Sequence, residues 1–251
     1  GRGVIPPRAV SKSYPVAERH QAIWVWMGDP AAADEDKIID LSFMESEDWG
    51  GISAGYLKVS ADYRLVIDNL LDLTHATFLH SATVGLSPED SLGSGFDYDF
   101  RTEGFTVHSD YSFFNSATTP VFSSFFAPAR GDIHANIRWE PASSLYLDVG
   151  ITEVGQPLGS GLRQLSAHLI VPETADSCHY FYSVARNTEL DDEEKTAFLG
   201  AMVVQAFVNE DEPMIAQCFR MMQGAELFDL DPAILETDIA AVQARRMLAK
   251  L

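Results

Sequence analysis

Between Phe96 and Arg186 the chain repeats one pattern: short runs rich in aromatic and β-branched residues, apolar and polar positions alternating, each closed by a turn signal. The runs read FDYDF, FTVHSDYSFF, VFSSFFA, DIHANIRWE, SLYLDVGITEV, RQLSAHLIV and HYFYSVAR. A period of two is the mark of a strand. Consecutive strands joined by short turns pair antiparallel. Gly104, Gly131, Gly155 and the stretch Pro172 to Asp176 mark the connections. A single antiparallel sheet is therefore the frame that everything else must fit.

Helical patterns flank this frame, so the fold class is α+β. Before it, Tyr56 to Ser60 is a candidate strand. Ala61 to His80 comes next as a helix whose Leu65, Ile67, Leu70, Leu71 and Phe78 are expected to pack on the sheet. After it, the acidic Asp191 to Glu194 suits a helix N-terminus, and apolar positions continue from Phe198 through Val208. Pro213 is expected to bend or restart that helix just past Asp211, with a second helical stretch from Ile215 to Met222. Asp231-Pro232 reads as an N-cap followed by proline at the first helical position, opening a terminal helix over 233–251. At the start, Pro6, Pro7 and Pro15 break an irregular opening, Ala22 to Met27 (AIWVWM) reads as a buried strand, and residues 31–50 read as an acidic linker.

Composition excludes several function classes. The 17 basic and 37 acidic residues leave a net charge of −20, which argues against nucleic acid or an anionic membrane as a partner. Hydrophobic residues make up 46% of the 251 positions, yet no run approaches the roughly 20 apolar residues of a membrane span. The opening GRGVIPPRAV has no apolar signal-peptide core. Cys178 and Cys218 are too few for a disulfide framework or a Cys-rich metal centre; they read as packed thiols and fit a reducing cytoplasm.

The chemistry concentrates between Asp68 and His80, in DNLLDLTHATFLH. Asn69, Asp72 and His75 lie three apart on one side of the expected helix, and His80 stands five residues later. Two imidazoles and a carboxylate suit Fe, Zn, Cu or Ni, and two His with one carboxylate make the facial triad of non-haem Fe(II) oxygenases. Five helical steps set the two His about 140° apart. His80 is therefore expected where the helix ends or unwinds, ahead of the loop SATVGLSPEDSLGSG. Spacing alone leaves the pair suggestive: a His in a helix is more often a hydrogen-bonded or surface residue. Likewise any member of Glu210-Asp211-Glu212 could be a solvated charge.

The run NLLDLTHATFLH resembles the mononuclear-iron motif of Rieske non-haem iron oxygenases, N-x-x-D-x-x-H-x(4)-H, in the vanillate O-demethylase and dicamba monooxygenase branch. SYPVAERHQAIWVWMGDPAAAD, RWEPASSLYL, HLIVPETADSCHYFYSVARN and QAFVNEDEPMIAQ extend the resemblance over essentially the whole chain. It implies a helix-grip (START or Bet v1-like) catalytic domain over 51–251. It also implies a C-terminal remnant of a Rieske β-domain over 1–30, joined by the 31–50 linker. The cluster motif C-x-H…C-x-x-H is absent, so the polypeptide is expected to begin inside a longer one or to have a cluster-bearing part that is disordered, with natural loss of the cluster as the alternative.

By the same resemblance, His75, His80 and Asp211 hold Fe(II). Asp72 hydrogen-bonds the first ligand His and bridges to a Rieske-cluster His of the neighbouring subunit, and Asn69 lies close to the metal. His168 matches a substrate-contacting His, although a plain sheet His is an equal reading. Leu147 and Met202 stand where that branch has Asn and Trp, which leaves room for a more apolar aromatic substrate. Phe113, Phe114, Phe122, Phe125 and Phe126 are candidate pocket aromatics. His20, His108, His134 and His179 take no role.

The reading is a cytoplasmic terminal oxygenase that monooxygenates an aromatic compound, by O-demethylation of a methyl ether or by ring hydroxylation. The [2Fe-2S] Rieske cluster would come from the missing part, electrons from NAD(P)H through a reductase, and the assembly would be a homotrimer. Two alternatives stand beside it: a helix-grip protein that binds a hydrophobic ligand without catalysis, and a zinc hydrolase on the same ligands.

Overall fold

The computed structural model describes residues 3, 4, 6, 8–91 and 95–251. Pro7 and positions 92–94 of the loop after His80 lie outside the described residues. Its centre is a seven-stranded, wholly antiparallel sheet. The strands are β3 (Gly50–Val59), β4 (Phe96–Glu103), β5 (Thr106–Ala117), β6 (Arg130–Glu140), β7 (Ser144–Thr152), β8 (Leu162–Thr174) and β9 (Ser177–Arg186), in the order β3-β9-β8-β7-β6-β5-β4. Gly131, expected in a connection, belongs to β6 itself.

One run of the seven is not a strand. Val121 to Phe125 is a turn, with Phe125 N–H donating to Phe122 O at 2.9 Å. Pro120 and Pro128 bracket the segment, and proline cannot supply a ladder N–H. Val121 and Phe122 drop into the core instead. The seventh strand is β3, which is longer than the Tyr56 to Ser60 expected.

Helices cover one face of the sheet: α1 (Tyr63–Leu71), α2 (Ala76–Leu79), α3 (Pro88–Ser91), α4 (Glu193–Val204), a π-helical segment (Gln205–Asp211), α5 (Glu212–Met222) and α6 (Ile239–Leu248). Asp192 caps α4, its carboxylate accepting from Lys195 N–H at 2.9 Å. Val66, Ile67, Leu70 and Leu71 of α1 are buried, whereas Phe78, expected on that side, is 70% exposed because the helix breaks before reaching it. The terminal helix begins at Ile239, not 233. Asp231 ends the preceding 3-10 turn in the left-handed region (φ 48°), and the Asp238 carboxylate accepts from Leu235 N–H at 2.7 Å. Ala240, Ala241, Ala244 and Met247 then supply the buried stripe that the chain before Ile239 lacks.

The other face is also covered. Ile39, Leu41 and Phe43 are buried against Leu165, Ala167 and Ala185, at about 1.5–3 kcal/mol for each large side chain. The expected linker thus packs on the sheet, and β8 is buried on both faces. Val16–Arg19 (β1) and Ala22–Val25 (β2) form a separate hairpin turning at His20 and Gln21, both at positive φ. Ala22 to Met27 is not a buried strand: Ile23, Val25 and Met27 are exposed, because only one side of the hairpin meets the domain. Glu45 holds its tip, accepting from His20 N–H at 2.9 Å. Cys178 is buried as expected, but Cys218 is exposed.

Candidate metal centre

Asp72 leaves helical geometry (φ −105°, ψ 93°), which ends α1 and starts a separate 3-10 turn, Leu73–His75. Its carboxylate caps that turn by accepting from Thr74 N–H at 3.0 Å and Thr74 Oγ1 at 2.5 Å. The chain re-enters helix as α2 and stops at His80 (φ −113°, ψ 24°). Behind it, Gly85 N–H donates to His80 O at 2.8 Å, and a Cβ on Gly85 would lie 2.0 Å from Ala76 O. These two breaks bring the imidazoles together, with His75 Nε2 and His80 Nε2 3.3 Å apart.

The third group comes from the far end of the chain. Pro213 has no N–H for the carbonyl four residues back, and its ring crowds that carbonyl. The helix widens into the π turn 205–211 at this point, a device that re-aims side chains. Asp211 Oδ1 then lies 3.5 Å from His75 Nε2 and 3.0 Å from His80 Nε2. Glu210, its neighbour, reaches the opposite side of the same ring, 2.6 Å from His80 Nδ1.

These contacts fix the protons. Glu210 accepts the His80 Nδ1–H, and the backbone carbonyl of Asp72 accepts the His75 Nδ1–H. Both Nε2 lone pairs therefore face Asp211 Oδ1, which is buried without a hydrogen-bond partner. Three acceptors converging with no donor between them is the arrangement a cation resolves. Three cis ligands at about 2.1 Å from a first-row metal lie about 3 Å apart, which the observed edges match for iron and zinc alike. Burial pushes the Asp211 carboxyl up, but with a proton in the metal's place the hydrogen bonds and charge of His75 and His80 outweigh this and hold it at about 2, so it is an anion at neutral pH. Burial lowers the His80 imidazole while Asp211 and Glu210 raise it, with a net upward shift.

The structure brings Asn69, His75, His80, Leu147, His168 and Asp211 to one cavity of about 160 Å³. A dry apolar cavity of about 150 Å³ holds one benzene ring. Phe113 and Phe122 line it, whereas Phe114 is on the surface and Phe125 lies near Phe198. Met202 does not reach it. Its neighbour Val203 and, a turn on, Ala206 do, because the expected pocket face is rotated by one helical step. Asp72 is corrected in one respect: its carbonyl, not its carboxylate, meets His75, while the carboxylate Oδ1 accepts from Thr74. A larger cleft of about 1050 Å³ lies under the β1–β2 hairpin on the opposite face, away from all three candidate ligands.

Sequence reasoning missed Glu210, Gln164 and Ser166. The last two were findable, since positions two and four before His168 on a strand share its face. Glu210 was not, because only the π turn lets consecutive residues bracket one ring. Glu210→Gln is expected to weaken metal affinity by about 10–100-fold, measured by chelator competition. An unchanged affinity would remove Glu210 from the site.

Residues 59–251 match the vanillate O-demethylase oxygenase C-terminal domain. The chain is 35% identical over 251 residues to the oxygenase component of chloroacetanilide N-alkylformylase from Rhizorhabdus wittichii, covering 99% of this chain and 71% of that protein. It is 32% identical to the oxygenase component of dicamba O-demethylase from Stenotrophomonas maltophilia, covering 100% of this chain and 73% of that one. Dicamba monooxygenase solved with non-haem iron and dicamba superposes with a TM-score of 0.80 at 28% identity, covering 100% of this chain and 71% of that one.

Proposed function

The chain belongs to the family of the vanillate O-demethylase oxygenase C-terminal domain, the catalytic part of a Rieske-type oxygenase, and from that premise we propose that it monooxygenates a single-ring aromatic substrate at a ferrous centre held by His75, His80 and Asp211. The enzyme is an oxidoreductase. The observation that carries the finer reading is the convergence of those three acceptors on the wall of a cavity sized for one ring.

Bound ferrous iron would supply the reductive activation of O2. The chain's own groups do the rest. Glu210 and the Asp72 carbonyl keep both Nε2 lone pairs turned inward. Leu147, Val149, Phe113 and Phe122 seat the ring and exclude water, and Asn69 lies on the same wall. For an aromatic methyl ether, O2 with two electrons and two protons yields the phenol, formaldehyde and water.

The electrons would come from NAD(P)H through a reductase and a Rieske cluster. The partly exposed Asp72 carboxylate is our candidate for the route, met by a neighbouring subunit in a homotrimer. The separate β1–β2 sheet supports reading residues 1–30 as the edge of a Rieske domain and 51–251 as the catalytic domain, with 31–50 strapped to the sheet between them. Among the described residues no helix is long and apolar enough to cross a membrane.

Metal analysis of anaerobically purified protein, with formaldehyde release from methoxyarenes under O2 and a reductase, tests the proposal. Stoichiometric mononuclear iron and O2-dependent formaldehyde are expected. Zinc in the site with turnover in the absence of O2 would overturn it.

A further inference from the structure

The cavity wall carries a polar stripe that the metal chemistry does not use. Gln164, Ser166 and His168 alternate along β8 and all line the cavity. Their register neighbours there are apolar: Val149 beside Gln164, and Leu147 and Val184 beside Ser166. Gln164 is only 8% exposed, and its Nε2 has no hydrogen-bond partner. A buried amide left unmade costs stability, so its presence needs a reason outside folding.

The proton positions along the stripe can be assigned. His168 Nδ1 lies 2.6 Å from Tyr180 Oη, and His168 Nε2 lies 2.8 Å from Ser166 Oγ. The ring is fully buried and neutral, its pKa pushed down to about 3 by that burial. If Nδ1 carried the proton, the buried Tyr180 hydroxyl would have no acceptor. With Tyr180 donating to Nδ1, Nε2–H donates to Ser166 Oγ and the donors of both His168 and Tyr180 are satisfied. The hydroxyl proton of Ser166 is then free to point into the cavity, next to the unpartnered Gln164 amide.

Charge settles what such a pair can receive. Among the described residues no Lys or Arg lines the cavity. Arg186, across from Gln164 on β9, gives its donors to Thr188 O at 3.0 Å, Glu189 O at 2.6 Å, Asp192 O at 2.9 Å and Thr196 Oγ1 at 2.8 Å. Asp211 lines the same cavity, but in the ferrous site its charge is taken up by the metal. At the Gln164 and Ser166 wall an anionic substrate would be desolvated with no cationic side chain to pair it, whereas a carbonyl oxygen has two lone pairs for two neutral donors.

We propose that Gln164 and Ser166 bind the carbonyl oxygen of an uncharged aromatic substrate and so set the specificity of the cavity. The word substrate rests on the oxygenase reading above. The pair orients the ring; it takes no part in the metal site.

The test is anaerobic calorimetry on the purified protein with meta-methoxybenzamide, meta-methoxybenzoate and anisole, repeated on Gln164→Met, which keeps the length and loses the amide. The wild type is expected to bind the benzamide about tenfold or more tighter than the benzoate. The variant is expected to lose about tenfold for the benzamide alone, hold anisole within about twofold, and keep or raise its Tm, because the unsatisfied amide is gone. Benzoate binding as tight as benzamide, or a variant that weakens anisole and benzamide equally, overturns the assignment. Iron content on the same samples separates the two readings. Full iron without the amide preference defeats the Gln164 assignment alone, and the amide preference without iron defeats the oxygenase alone.

Discussion

His75→Ala is expected to abolish stoichiometric iron and to lower O2-dependent turnover by about 10³-fold or more, because the variant keeps one imidazole and one carboxylate where three groups converge. The loss is specific to the metal. In the metal-free wild type the Asp211 and Glu210 carboxylates outweigh burial and raise the His80 imidazole, so a proton on that ring takes the place of the metal. His80 keeps both carboxylates in the variant, so the metal-free variant should melt close to the wild-type temperature. Adding Fe(II) anaerobically then separates the two proteins. At a hundredfold excess over Kd, a ligand bound only by the folded state adds about 2.7 kcal/mol, a rise of several degrees in Tm for the wild type and none for the variant. Iron retained by His75→Ala would remove this residue from the ligand set.

Arg245→Leu should be the most destabilising single change outside the cavity. Arg245 Nε lies 2.9 Å from both Asp68 carboxylate oxygens, a terminal guanidinium nitrogen lies 2.6 Å from one, and the Arg245 side chain is buried. The pair ties α6 to α1, the helix that carries Asn69 and leads into His75. Removing one partner strands the other's charge, at a cost of about 3–5 kcal/mol, read as a lower midpoint in urea. The double variant Asp68→Leu/Arg245→Leu should recover most of that loss, since apolar residues of similar volume replace a buried pair well. A cost under about 1 kcal/mol for the single variant would show the pair to be a solvated surface contact.

The sheet was legible because its signal is local. Alternation along FTVHSDYSFF or DIHANIRWE repeats every two residues, and turn residues bound each run, so six of the seven 96–186 runs are strands. The run VFSSFFA misled for a local reason too: its aromatic content outweighed the prolines that bracket it. Helix starts were less legible. The acidic Asp191 to Glu194 lies at the start of α4 as expected, with Asp192 as its cap, but Asp231-Pro232, read as a cap with proline after it, opens no helix. The difference lies in the residues beyond Pro232, since Ile234 and Leu235 are exposed and no stripe exists to bury before Ile239. The hairpin and the 39–43 strap share this limit, as whether an apolar run is buried depends on what covers it.

The sequence by itself determined the sheet, the class of the fold and, through the spacing of Asn69, Asp72, His75 and His80, where the chemistry would lie. Tertiary structure decided which atoms meet. The break at Asp72 and the π turn before Pro213 bring Asp211 onto two imidazoles more than 130 residues away, and place Glu210 behind one of them. The pocket face of α4 and the free amide of Gln164 were decided the same way. Backbone period is set by near neighbours and can be read along the chain, whereas the direction of a side chain and the pairing of a buried polar atom depend on residues that only the fold makes neighbours.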